Sequence, residues 1–170
     1  MTGAVVDDLS RPHPATPRGT DWSLVSDRVM GGVSVGAMDR REVAGRTALA
    51  MTGDVRLDND GGFVQLSLDL APGGASVDAG SFDGIALTVR GNGADYNVHL
   101  RTDAVDKSWQ SYRATFHAGA DWTTLTLPFA DFTPHRIDAA FDPAALRRIG
   151  LVAIGRAFHA DLAVCDIRFV

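Results

Sequence analysis

From Trp22 onward the apolar positions recur mainly at every second residue. Val64, Leu66, Leu68 and Leu70 alternate with Gln65, Ser67 and Asp69, the pattern of a strand with one buried face and one wet face. The same alternation returns in Ile85, Leu87 and Val89, in Tyr96, Val98 and Leu100, and in Tyr112, Ala114 and Phe116. Breaks rich in Gly and Asn separate these runs at Asn59-Asp60-Gly61-Gly62, Pro72-Gly73-Gly74 and Gly91-Asn92-Gly93. Gly and Asn accept the positive φ that tight turns require. Short strands with frequent turns predict an antiparallel sandwich rather than a parallel α/β sheet.

Near the C-terminus, Phe158, Ala160, Leu162 and Val164 share one parity, whereas Ile167 and Phe169 share the other. One extra residue at Cys165 or Asp166, a β-bulge, returns both sets to a single core. One short helix is predicted: Asp142 caps it, Pro143 suits its first position, and Ala144 to Arg148 form its turn. The pattern holds no internal repeat. It predicts one domain over residues 20–170, preceded by a flexible arm at 1–19 where Pro12, Pro14 and Pro17 leave few apolar groups to bury.

Composition narrows the function classes. The chain has 170 residues, 45% hydrophobic and 22% charged, as expected for one globular domain. Its formal charge of -5 opposes the long-range attraction used by nonspecific nucleic-acid binders. The single cysteine, Cys165, excludes an intramolecular disulfide and a multi-cysteine zinc site, and its alternating apolar strand predicts an inert buried thiol. No run approaches the roughly 18 apolar residues of a membrane span, and the first 19 residues resemble no secretory or transit peptide. A cytoplasmic location without membrane insertion is therefore expected. One Lys beside fifteen Arg suggests a GC-rich bacterial source.

Candidate chemistry lies on the polar side of a meander over residues 85–117. If Leu87, Val98 and Ala114 point inward, parity places Arg90, Asn97, His99, Arg101, Ser111, Arg113, Thr115 and His117 on the opposite face. This requires three sequential antiparallel strands. His99 then lies near Arg113, Arg101 lies near Ser111, and Trp109 stands at the rim. Guanidinium forks and imidazoles suit an anionic or hydroxyl-rich ligand. The competing reading is a solvated face balanced by Asp95, Asp103 and Asp106. If the chain is an enzyme, His99, Arg101, Arg113 and Tyr96 are the groups to polarise a carbonyl or move a proton.

Other features are weaker. Asp27, Arg28, Met30, Gly31 and Gly32 read as a structural corner, with Gly freeing the backbone and Asp27 or Arg28 closing it. Asp54, Asp58 and Asp60, with Asn59, form a weak calcium candidate, but their spacing departs from the EF-hand pattern. The five histidines show no metal-binding spacing, and no nucleophile elbow, phosphate loop or dinucleotide fingerprint is present. No cofactor is expected.

Trp22 followed by Ser26-Asp27-Arg28-Val29-Met30-Gly31-Gly32-Val33-Ser34 resembles the opening signature of the complex I intermediate-associated protein 30 family. Gly61-Gly62-Phe63, Asp83-Gly84-Ile85, Val89-Arg90-Gly91-Asn92-Gly93 with Tyr96, and Trp122 with Leu127-Pro128-Phe129 and Phe132 follow in order. The resemblance implies an all-β jelly roll, galactose-binding-domain-like, and an assembly-factor-like or chaperone-like role. The leading expectation is a non-catalytic module that holds a protein partner or a small polar or anionic ligand on a sheet face and adjacent loops. The alternatives are a small cofactor-independent cyclase or isomerase of a bacterial biosynthetic pathway, and a carbohydrate-binding module.

Overall fold

In the computed structural model, which describes residues 4–170, the alternating segments become twelve strands. In chain order these are β1 (Val5–Asp7), β2 (Ser23–Ser26), β3 (Val35–Val43), β4 (Arg46–Val55), β5 (Phe63–Asp69) and β6 (Gly84–Gly91). They continue as β7 (Ala94–Thr102), β8 (Ser111–Ala118), β9 (Thr123–Pro128), β10 (Thr133–His135), β11 (Leu146–Ile154) and β12 (Phe158–Phe169). The first sheet runs β3-β4-β12-β6-β9 with β1 added beside β12, and the second runs β10-β8-β7-β11-β5-β2. All pairings are antiparallel. The inward residues of both sheets, among them Leu66, Leu87, Tyr96, Tyr112, Leu151 and Leu162, form one buried core. The architecture is a galactose-binding-domain-like jelly roll.

The bulge falls at Cys165, because Val164 pairs with Val89 and Asp166 pairs with Thr88. Leu162, Val164, Ile167 and Phe169 consequently all reach the core. Cys165 itself is half-buried and turned outward, with Arg46 Nη1 3.7 Å from its sulfur. The expectation of a buried thiol is thus corrected, since the inserted residue of a bulge does not follow the strand's alternation.

Three further expectations change. The helix near Asp142 is a three-residue 3-10 turn, Pro143–Ala145, capped by Asp142 Oδ1, which accepts from Ala144 N at 3.0 Å. β11 begins at Leu146, so Arg147 and Arg148 are strand residues. Partners on both sides, β7 and β5, give this backbone a ladder that a lone helical turn cannot match.

The strands flanking Gly91-Asn92-Gly93 lie in different sheets. Gly91 N and Gly93 N donate to Gly119 O and Ala118 O, both at 2.8 Å, as the chain crosses from one sheet to the other. A Cβ at Gly91 would stand 2.6 Å from Ala118 Cβ, so the crossing needs glycine. The predicted meander therefore survives only as the β7–β8 pair.

The segment before Trp22 packs on the domain from residue 4 onward, in place of a free arm. Pairing of β4 with β12 ends at Val164, and β1 takes up the ladder beyond it at Ile167 and Arg168. Val6, Asp7 and Leu9 are buried, and the Trp22 indole donates to Asp7 Oδ2 at 2.7 Å. A short apolar run suffices where a strand edge stands open. Residues 1–3 of the expected arm lie outside the described residues.

Candidate functional site

The outward face of the second sheet carries the polar cluster. His99 on β7 lies opposite Arg113 on β8 and opposite Gly150 on β11. Gly150 in turn faces Ser67 on β5, while Arg148 pairs with Arg101 on one side and Asp69 on the other. These side chains form a slot of about 60 Å³ lined by Gln65, His99, Arg101, Ser111, Arg113 and Arg148, with Gly150 among its walls. A second hollow of about 60 Å³ adjoins it through shared Arg101 and Arg148, extending to Asp69 and Arg147.

Several of the cationic groups are held in place. Arg148 Nε donates to Asp69 Oδ1 at 2.8 Å, and Arg113 Nε donates to Ser111 Oγ at 2.8 Å. Arg101 reaches the carbonyls of Lys107 and Ser108 at 3.4 Å, tying the β7–β8 loop down. Trp109 stands in that loop with 54% of its surface exposed. His99 differs from its neighbours. Its Nε2 is buried and has no hydrogen-bond partner, the only such side-chain atom among the described residues. Buried polar atoms of this kind carry a desolvation cost that a ligand can relieve.

The electrostatics agree. Burial, followed by the charges of Arg113 and His135, pushes the His99 pKa down to about 3, so the ring is neutral near pH 7. Burial also lowers the Arg101 and Arg113 pKa values, with further lowering from Arg148 and Arg147 in one case and from Arg136 in the other. Arginine remains charged through such shifts. This is a positive patch on a chain whose formal charge is -5.

The remaining sequence candidates fall elsewhere. Arg90 lies on β6 in the first sheet, outside the cluster, because β6 and β7 are not neighbours. Tyr96 points into the core, where its hydroxyl donates to Asn92 Oδ1 at 2.7 Å and accepts from Asp161 N at 2.9 Å. Its proposed proton-transfer role is corrected on that ground. Asn97 accepts from Thr115 Oγ1 at 2.8 Å, and His117 pairs with Asp95 at 2.9 Å, both on the same face but outside the slot. Asp54 pairs with His159 at 2.9 Å and Asp58 with Arg56 at 3.4 Å. Among the described residues no three His, Cys, Asp or Glu side chains gather as a metal site, Asp60 included.

The corner at Asp27 is internally satisfied. Its buried carboxylate accepts from Ser34 N at 3.0 Å, Ser34 Oγ at 2.5 Å and Gly62 N at 2.6 Å. Burial raises the Asp27 pKa, but these hydrogen bonds outweigh it and hold the carboxyl below its ordinary range. Arg28 Nε donates to Ser34 O at 2.9 Å. Gly31 takes φ 85°, whereas a Cβ on Gly32 would stand 2.4 Å from Asp27 Cγ. Met30 is exposed beside them.

A larger, open groove of about 670 Å³ lies on the first sheet, lined by Arg46, Thr88, Thr124, Cys165, Asp166 and Arg168. Its central charges are already paired, with Arg168 Nε donating to Asp166 Oδ1 at 2.7 Å. The smaller slot is the stronger candidate, because among the described residues it alone holds an unsatisfied buried side-chain atom. Gln65, Arg148 and Gly150 were missed in the sequence. The first was legible only as the wet side of an alternating strand, and the others follow from the β7–β11 pairing.

The fold and this sheet face define a jelly-roll module with a small polar cleft. The chain belongs to the complex I intermediate-associated protein 30 family, which matches residues 13–164. Comparison with curated proteins finds no match. Among solved structures it is similar to the family 11 carbohydrate-binding module of a cellulosomal cellulase of Clostridium thermocellum. That match has a TM-score of 0.78 and 11% identity, covering 98% of this chain and 92% of that one. The same organism's family 11 module in complex with a β-1,3-1,4-mixed-linked tetrasaccharide gives a TM-score of 0.77 at 11% identity, covering 98% and 94%. A family 30 carbohydrate-binding module of another of its cellulosomal cellulases gives 0.60 at 15% identity, covering 79% and 82%. Among the described residues no helix is long and apolar enough to cross a membrane.

Proposed function

We propose that the protein is a non-catalytic binding module that holds a small polar ligand on the outward face of its second sheet. The observation that carries this reading is the unpartnered, buried His99 Nε2 in a slot bordered by Arg101, Arg113 and Arg148. A group that hydrogen-bonds this nitrogen restores what folding removed from water. The enzymatic alternative is disfavoured by the same ring: with a pKa of about 3, His99 is too weak a base for proton abstraction near neutral pH. A carbohydrate ligand is the second reading. It is favoured by the exposed Trp109 in the β7–β8 loop, whose ring offers a flat apolar face between the slot residues Ser108 and Gln110 in sequence, and by the saccharide bound to a similar module.

The test is amide-shift mapping of the labelled protein against neutral and charged saccharides, including a mixed-linked glucan tetrasaccharide. Binding should move resonances of β7, β8 and β11 around His99, and His99→Ala and Arg113→Ala should abolish the response while the protein stays folded. Shifts confined to the first-sheet groove would refute the assignment.

A further inference from the structure

We infer that the His99 slot is a carboxylate subsite, so that the ligand of this face is a carboxylate-bearing molecule of the uronic-acid class. The inference rests on the binding-module reading above and adds the chemical identity of the group bound. Three observations lead to it.

The first is the balance of charge and donors. Arg101, Arg113 and Arg148 border the slot, and Asp69 neutralises only Arg148. Arg113 spends its Nε on Ser111, which leaves both terminal nitrogens without a hydrogen bond among the described residues. A guanidinium edge matches the two oxygens of a planar carboxylate, and this face already pairs a guanidinium with a carboxylate, Arg148 Nε donating to Asp69 Oδ1. His99, neutral at pH 7, can present an N–H at Nε2 to one of the same oxygens.

The second is placement. His99 on β7 lies directly opposite Arg113 on β8, so an imidazole N–H and a guanidinium edge on neighbouring strands can each take one oxygen of the same flat group. Gly150 lies opposite His99 on the other side, on β11, and adds no side chain there.

The third is what lies at the exit. Ser108 and Gln110 line the slot on either side of Trp109 in sequence. A ligand whose carboxylate is seated at His99 therefore meets the polar groups of Ser108, Gln110 and Gln65, and the loop that carries Ser108 and Gln110 also carries the exposed Trp109. This suits a hydroxyl-bearing ring attached to the acid. A free organic acid shares the carboxylate and lacks the ring.

The experiment titrates the labelled protein with sodium D-galacturonate, D-galactose, sodium acetate and inorganic phosphate at pH 7 and constant ionic strength, reading the His99 ring nitrogens and the Gly150 amide. Galacturonate should move both and bind about tenfold or more tightly than galactose, the value of one charge-assisted hydrogen bond. Arg113→Gln should weaken galacturonate by a similar factor. Gly150→Ala should block it by filling the slot, with the folded spectrum retained. Weaker binding of acetate supports the ring-bearing ligand, and equal binding overturns the uronic-acid class in favour of a free acid. Galactose binding as tightly as galacturonate, or phosphate binding more tightly, overturns the carboxylate subsite. If the neutral glucan tetrasaccharide moves this face and no carboxylate does, the subsite falls and the binding module stands. If no probe moves it, both fall.

Discussion

Replacing Asp27 by Ala tests whether the signature corner holds the fold together. The carboxylate is fully buried and accepts from the backbone N–H groups of Ser34 and Gly62, at 3.0 and 2.6 Å, and from the Ser34 hydroxyl. The hydroxyl also lies 3.2 Å from Arg56 O and keeps that partner. The two N–H groups have no such alternative, and each buried donor left unpaired costs about 1–3 kcal/mol, or about 2–6 kcal/mol together. For a domain of this size each kcal/mol moves the thermal midpoint by about 2–4 °C, so Asp27→Ala should melt on the order of 10 °C lower. Scanning calorimetry measures this directly, and a fall below about 3 °C would refute the reasoning. The pH dependence has a definite sign. Because the folded-state pKa of Asp27 is depressed, its contribution is present above the ordinary carboxylate range and is lost as pH falls through the folded value. Asp27→Asn should therefore flatten the acid limb of the stability profile. The adjacent glycines separate two causes. Gly31→Ala strains a backbone at φ 85° with open space around it, whereas Gly32→Ala drives a methyl into Asp27. Only the second should abolish the acid-limb dependence together with stability.

Two more predictions concern other parts of the molecule. Removing residues 1–9 should lower the midpoint by about 5 °C or more, because the buried Trp22 indole N–H loses Asp7 and the ladder beside Ile167 is left open; an unchanged midpoint would show that the segment contributes nothing. The His99 ring should not titrate between pH 5 and 8 in an NMR series. The unfolded chain takes up that proton near the ordinary value of 6.5 while the folded chain waits until about 3, so wild type should lose stability over this window as pH falls and His99→Gln should lose less. A measured folded-state value near 6 would refute the burial argument.

Much of this protein was legible in the sequence alone. Strand positions follow from period-two alternation, and the bulge at Cys165 follows from the parity change between Val164 and Ile167, because both patterns are local. The facing of His99 and Arg113 was readable for the same reason, since β7 and β8 are consecutive and joined by a loop. The family signature also stood in plain order from Trp22 to Phe132. What the sequence did not determine was which distant strands meet. Placing β11 between β7 and β5 brings Arg148, Gly150 and Gln65 to His99 from positions 34 to 51 residues away, and sending β6 to the other sheet removes Arg90. Docking of β1 likewise depends on where β4 ends its pairing. Each residue in a strand has two lateral neighbours set by long-range packing of two sheets on one core, and no local spacing encodes that choice. The burial of His99 Nε2, on which the functional reading turns, exists only once those neighbours have closed around it.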